Sequence, residues 1–341
     1  MEKESKIPSR KAIRIGLFLL FVISLFMFLY FFLAKMDFGK FFSLAMDYVN
    51  TDLTKIENQE GRVNLLVLGK SGAGHDGSDL TDSIMLVSIS SEKSKIDTIS
   101  IPRDVWIPSI RAKINSAYYW GKQKDETTGL SFAKDIASEL LQEKINYGIV
   151  IDFDGFTEIV DVIGGIDVDV ENAFTDPKYP IKGKENDLCD GDKELKCRYE
   201  TIVFEKGIQK MNGDTALKFV RSRNAQGDEG TDLARSARQQ KVINSIKDKM
   251  LTYQILLNPV KLYESWRVAE KYIETDLKFG SLGVLGKLVV NARNDIRQHN
   301  IPEEYLFNPP ISSKYDHQYV FIPASGSWED LRSWVNNQLN K

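Results

Sequence analysis

Four arginines, Arg221, Arg223, Arg235 and Arg238, fall in the run RSRNAQGDEGTDLARSARQQ that spans residues 221–240. A guanidinium carries planar donors that match phosphate oxygens in pairs, so arginines brought together point to a phosphate or pyrophosphate ligand. Val220 to Arg223 reads as extended, which would send Arg221 and Arg223 out of the same face. From about Thr231 or Asp232 the pattern turns helical, with an inward stripe of Val242, Ile246 and Met250 and with Ile243 beside it. Carried back by threes and fours, that stripe reaches Gln239, Arg235 and Asp232, while Ser236, Gln240, Lys241, Asn244 and Lys247 fall opposite. Arg235 and Gln239 are therefore expected to point inward. Charge on an inward face is costly unless it is paired or meets a ligand of opposite sign, and a bound polyanion would supply that charge.

Other polar residues could join such a site. Arg103, in SIPRD, closes a predicted strand and is a fifth basic candidate. Asp82, in DLTDS, heads another strand just after a Gly-rich loop. It either caps the strand or holds Mg²⁺, a cation that takes one or two carboxylates and fills its shell with water and substrate oxygens. Asp104 and Asp232 either neutralise arginines or take part in the chemistry. Lys113 is either a phosphate ligand or a solvated lysine. The loop GKSGAGHDG lacks the spacing of a P-loop. No Ser-His-Asp or Cys-His arrangement is visible, so the toolkit suits phosphoryl transfer, which works mainly through positioning and charge neutralisation.

These side chains need a scaffold of alternating elements. Val63 to Leu68, Ser83 to Ser90 and Lys95 to Ile101 read as strands, the last two as an antiparallel pair. Gly129 to Lys144 and Gly155 to Ile163 read as helices, with a strand from Tyr147 to Phe153 before the second and another, Ile166 to Val170, after Gly164-Gly165. Asn212 to Lys218 reads as a short helix, and a last helix starts near Ser327. The mixture predicts an α/β/α sandwich around a central mixed sheet. Glu171 to Glu200 is too polar for a core element and reads as an inserted loop or flap. Within it Cys189 and Cys197 could close a small disulfide loop in an oxidising compartment.

With 45 Lys and Arg against 48 Asp and Glu, the net charge of −3 argues against a general nucleic-acid binder, so any anion site must be local. Ile15 to Ala34 carries no charge and is long enough to cross a bilayer. Lys3, Lys6, Arg10, Lys11 and Arg14 precede it, which predicts a single-pass anchor in the cell membrane with a cytoplasmic N-terminus and an extracytoplasmic domain. The run exceeds the roughly 7–15 residues of a signal-peptide core and lacks a small-x-small cleavage site. The expected division is a cytoplasmic segment 1–14, a span 15–34, a linker 35–60, a catalytic domain 61–300 with the 171–200 insertion, and a C-terminal extension 301–341.

The ordered motifs NLLVLG, LTDSIMLVSI, SIPRD, KINSAYYWG, IDFDGFTEIVDVIGGIDVDV, GDTALKFVRSR and TDLARSARQQKVI resemble the LytR-CpsA-Psr family over about Val63 to Met250. The resemblance implies a phosphotransferase that moves a glycopolymer from a polyprenyl-pyrophosphate carrier to a peptidoglycan sugar hydroxyl. It also implies a tunnel for the prenyl chain. Carried over by position, Arg103, Arg221, Arg223, Arg235 and Gln239 form the pyrophosphate clamp, with Arg238 in the same network. Asp82 holds Mg²⁺ and Asp232 orients the clamp. Members commonly carry an acidic residue just after the first strand's glycine, where this chain has Lys70 and Ser71, and an arginine near the position of Leu80. Asp79, ahead of Asp76, is the expected replacement for the missing metal ligand. Two alternatives remain open at this point: a non-catalytic polyprenyl-phosphate-binding sensor or scaffold, and a polyprenyl-pyrophosphate hydrolase.

Overall fold

A computed structural model describes residues 46–50, 52–59, 61–72, 77–184, 186–250, 252–256 and 258–341. The expected span Ile15 to Ala34 and Asp76 lie outside the described residues. Among those that are described, no helix is long and apolar enough to cross a membrane.

The chain opens with a meander, β1 (Arg62–Lys70), β2 (Thr81–Ser90) and β3 (Lys95–Ser100), followed by the short pair β4 (Trp106–Ile107) and β5 (Ala112–Lys113). Helices α1 (Ala117–Lys124) and α2 (Gly129–Leu141) lead to β6 (Tyr147–Asp152), α3 (Phe153–Val162) and β7 (Ile166–Val170). Next come the hairpin β8 (Phe174–Pro180) and β9 (Tyr199–Phe204), then β10 (Gly207–Met211), α4 (Gly213–Arg221) and α5 (Asp232–Met250). The remainder is α6 (Pro259–Tyr272), β11 (Ile273–Thr275), α7 (Phe279–Ala292), β12 (Ile296–Asn300), the pair β13 (Leu306–Phe307) and β14 (Ile322–Pro323), and α8 (Glu329–Asn340).

Six strands form the central sheet in the order β11-β6-β1-β2-β3-β12. It is mixed: β1 runs antiparallel to β2 and parallel to β6, while β3 runs antiparallel to β2 and parallel to β12. LLVL is a continuous apolar run because both faces of β1 are covered. Leu66 and Leu68 pack with Leu130, Ile136 and Leu140 of α2 and with Leu331, Val335 and Leu339 of α8. Val63 and Leu65, on the other face, pack with Val284, Leu288 and Ala292 of α7. Burying each such side chain contributes about 1.5–3 kcal/mol.

A second core lies beside the sheet. There β7 and β10 pair, β8 and β9 pair, and Phe174, Phe204 and Phe219 stack with centroids 5.0–5.9 Å apart. Three sequence expectations change here. Glu171 to Glu200 is not wholly an insertion, since its two ends are the strands β8 and β9, and only the loop between them stands apart. That loop closes with a Cys189–Cys197 disulfide. The 301–341 segment is no appendage, because α8 supplies three residues to the main core. Val242 and Ile246 of the α5 stripe pack inward as expected, but Met250 is 39% exposed and Gln240 only 8%, the reverse of the expectation for those two residues, since α5 packs on β7 as well as on α4.

Candidate functional site

The carboxyl ends of the parallel strands β1 and β6 open into a cavity of about 380 Å³, roofed by α3, α4 and α5. Val67 and Gly69 of β1, Asp82 and Ser83 of β2, and Ile151 and Asp152 of β6 form its floor. Gly69 is small because β2 runs close: a Cβ there would lie 3.2 Å from the Ser83 Cβ. Asp152 both lines the cavity and caps α3, its Oδ1 accepting the Gly155 N–H at 2.8 Å. The cavity lining is of two chemical kinds. Phe153, Phe156, Leu217, Val220, Val242, Ile243 and Ile246 make an apolar wall, and Arg221, Arg223, Arg235 and Gln239 bring polar groups to it.

Arg221 ends α4 instead of lying on an extended segment, since the Asn212 cap, whose Oδ1 accepts the Thr215 N–H at 2.9 Å, starts a helix that runs through Arg221. Its guanidinium stacks over Phe153, 4.1 Å from the ring centroid, and donates to the Tyr179 hydroxyl at 3.4 Å. Burial pushes the Tyr179 phenol up from its usual pKa, with the Arg221 charge pulling the other way, so it stays protonated at neutral pH. Arg223 Nη2 reaches Asp82 Oδ1 at 3.3 Å, and the same oxygen pairs with Arg103 Nη1. Arg103 thus joins the site through Asp82. Thr231 caps α5, its hydroxyl accepting the Ala234 N–H at 3.2 Å, which aims Arg235 and Gln239 into the cavity as the sequence predicts.

Three expected site residues, Arg238, Lys113 and Asp79, do other work. Arg238 is 3% exposed and faces away from the cavity. Its donors are committed to the Phe219, Ser222 and Glu229 carbonyls at 2.8–3.0 Å and to the Glu229 carboxylate at 2.7 Å. Burial draws its guanidinium pKa down while Glu229 opposes the shift, and it is no phosphate ligand. Lys113 does not line the cavity, because Asp104 holds it at 2.7 Å. Asp104 also lies 3.5 Å from Arg103 Nε and so neutralises an arginine, one of the two roles expected of it. Asp79 is bridged by Lys70 at 2.7 Å and Lys122 at 3.3 Å. Burial alone would raise the Asp79 pKa, but the hydrogen bonds and charges of the two lysines hold it below the ordinary carboxylate range. The Asp232 side chain lies outside what the structure describes.

These neighbours do not fit a Mg²⁺ bound between Asp79 and Asp82. Asp79 is saturated by two ammonium groups, one from Lys70, and one oxygen of Asp82 is shared by two guanidiniums. With arginines also lining the cavity, a dication would meet net repulsion. The grouping of Asp187 with Cys189 and Cys197 is no metal site either, since both sulfurs are spent in the disulfide.

The LytR_cpsA_psr family profile matches residues 41–335. The chain belongs to this family. Among curated relatives of this member, the polyisoprenyl-teichoic acid–peptidoglycan teichoic acid transferase TagV of Bacillus subtilis (strain 168) is 29% identical over 266 residues, covering 76% of this chain and 60% of the relative. The transferase of the same description TagU from Bacillus cereus (strain AH820) is 28% identical over 217 residues, covering 62% of this chain and 61% of the relative. The chain thus spans about three fifths of the length of these relatives. The crystal structure of B. subtilis TagV superposes with a TM-score of 0.58 at 24% identity, over 83% of this chain and 99% of that one, and so the family fold is shared.

Proposed function

We propose that this protein transfers a glycopolymer from a polyprenyl-pyrophosphate carrier to a peptidoglycan sugar hydroxyl, forming a phosphodiester. The observation that carries this reading is a single cavity in which Arg221, Arg223, Arg235 and Gln239 meet an apolar wall of Phe156, Val242 and Ile246. That pairing suits an amphiphile with a pyrophosphate head and a prenyl tail. The family membership and the transferase descriptions of TagU and TagV support the same class of reaction.

In this reading the arginines bind the pyrophosphate and offset the charge that grows on its oxygens during the reaction. The acceptor hydroxyl attacks the sugar-linked phosphorus, and the bond from that phosphorus to the bridging oxygen breaks. Polyprenyl phosphate leaves. The hydroxyl proton passes to Asp82, which lines the cavity while Asp104 does not. The Ile15 to Ala34 segment tethers the protein to the membrane that holds the carrier, with the domain outside the cell.

The test is a transfer assay on the full chain in detergent, with a polyprenyl-pyrophosphate saccharide and peptidoglycan fragments. A phosphodiester-linked saccharide together with polyprenyl phosphate is expected. Phosphosaccharide released equally well without acceptor would make the protein a hydrolase, and lipid bound but unchanged would make it a binding protein; either outcome contradicts the transferase reading.

A further inference from the structure

Arg221 and Arg223 flank a residue that never reaches the cavity. Ser222 is wholly buried and is gripped from two sides. On one side Asp176 Oδ2 accepts the Ser222 hydroxyl at 2.7 Å and the backbone N–H groups of Arg223 and Asn224, each at 3.1 Å. On the other, Arg238 Nη2 donates to the Ser222 carbonyl at 2.8 Å.

Asp176 has no exposed surface. A buried carboxylate costs several kcal/mol unless its oxygens are satisfied, and here they are: the remaining oxygen accepts the Lys178 N–H at 2.9 Å. The carboxylate is aimed by an irregularity in the hairpin, because the β8–β9 register shifts between Asp176 and Tyr179. Such bulges redirect side chains next to sites. Asn224 reinforces the link by donating to the Lys178 carbonyl at 3.0 Å. The turn bearing both arginines is therefore tied to β8 on one side and to α5 on the other, without any of Asp176, Ser222 or Arg238 touching the cavity.

We propose that Asp176 is a positioning residue: with Arg238 it brackets Ser222 and so fixes the directions in which Arg221 and Arg223 meet the pyrophosphate. The proposal rests on the pyrophosphate-clamp reading. A hydrogen-bonded turn holds two forks in register where solvated side chains would sample many directions, and that preorganisation is what makes charge stabilisation effective.

The experiment measures binding of two probes, farnesyl pyrophosphate and farnesol, to the full chain in detergent by calorimetry, beside a thermal melt of each variant. Asp176→Asn turns one acceptor into a donor facing N–H groups. The expected result is a loss of roughly tenfold or more in farnesyl pyrophosphate affinity with farnesol affinity unchanged. Ser222→Ala removes one bond of the bracket without adding volume. It gives a smaller loss of the same selectivity, and it decides the matter if Asp176→Asn does not fold. A purely structural role would weaken both probes together, in step with the melting temperature, and would overturn the proposal. So would a folded Ser222→Ala that binds both probes as the native chain does. Failure of the underlying reading looks different: the native chain would then bind farnesyl pyrophosphate no better than farnesol.

Discussion

Lys95 and Asp97 on β3, beside the edge strand β12, and Arg221 and Asp82 at the cavity, are two ways of holding charge in a folded chain. On β3, Lys95 is 1% exposed and Asp97 2%; they pair at 2.8 Å, and His299 Nε2 lies 3.0 Å from the other Asp97 oxygen. That set is closed, with ammonium, carboxylate and imidazole answering one another. At the cavity the balance is open. Arg221 pairs with no carboxylate among the described residues, and one oxygen of Asp82 serves both Arg103 and Arg223. Closed charge is architecture, and an open surplus of guanidinium is a demand for an anionic ligand.

The comparison breaks most visibly at the closed set. Lys95→Met leaves Asp97 without its ammonium partner and should cost about 3–5 kcal/mol in denaturant unfolding, with prenyl-pyrophosphate affinity in the folded fraction unchanged. Arg221→Ala should do the opposite. Transfer falls about 100-fold or more, the cost of removing one donor from a preorganised anion site, while the unfolding midpoint barely moves. Arg221→Lys recovers little, because an ammonium cannot fork two oxygens. Equal loss of stability in the Lys95 and Arg221 variants would erase the distinction.

Two smaller effects sharpen it. The Asp79 carboxyl is depressed in the folded chain, so its contribution is present above the unfolded value of about 4 and is lost as pH falls through the lower folded value. The stability gap between the native chain and Asp79→Asn should be no more than about 1 kcal/mol at neutral pH, given solvent screening, and should close on acidification. Thermal melts at pH 7 and pH 3 measure it, and a gap that widens in acid would contradict the assignment. Smallest of all is the effect of a chelator. With Asp79 committed to lysines, removing Mg²⁺ should change farnesyl pyrophosphate affinity by less than about threefold, and a larger loss would return a cation to the site.

Much of the scaffold was legible in the sequence because its signals are local. β1, β2, β3, β6 and α2 announce themselves by apolar runs, alternation or helical spacing, and Arg235 with Gln239 follows from the α5 stripe. LKFVRSR reads equally well as strand or helix, and only the Asn212 cap upstream settles Arg221 at a helix end. Arg238 sits three residues from Arg235, close enough in helical angle to suggest a shared role. A rotation of about 60° is enough to carry it out of the cavity and into the backbone of the α4 end. Asp176 was invisible because three of its partners lie 46–48 residues away and two of those three are backbone N–H groups, which carry no sequence signature. The short edge strands β11 and β12 are likewise defined by the neighbours they pair with.

The most direct test of the open cavity as a pyrophosphate-lipid site is a crystal structure with geranylgeranyl pyrophosphate bound. The account predicts phosphate oxygens about 3 Å from the guanidiniums of Arg221, Arg223 and Arg235, with the prenyl chain along Phe156, Val242 and Ile246. A lipid seated elsewhere, or one with its tail among the arginines, would contradict it.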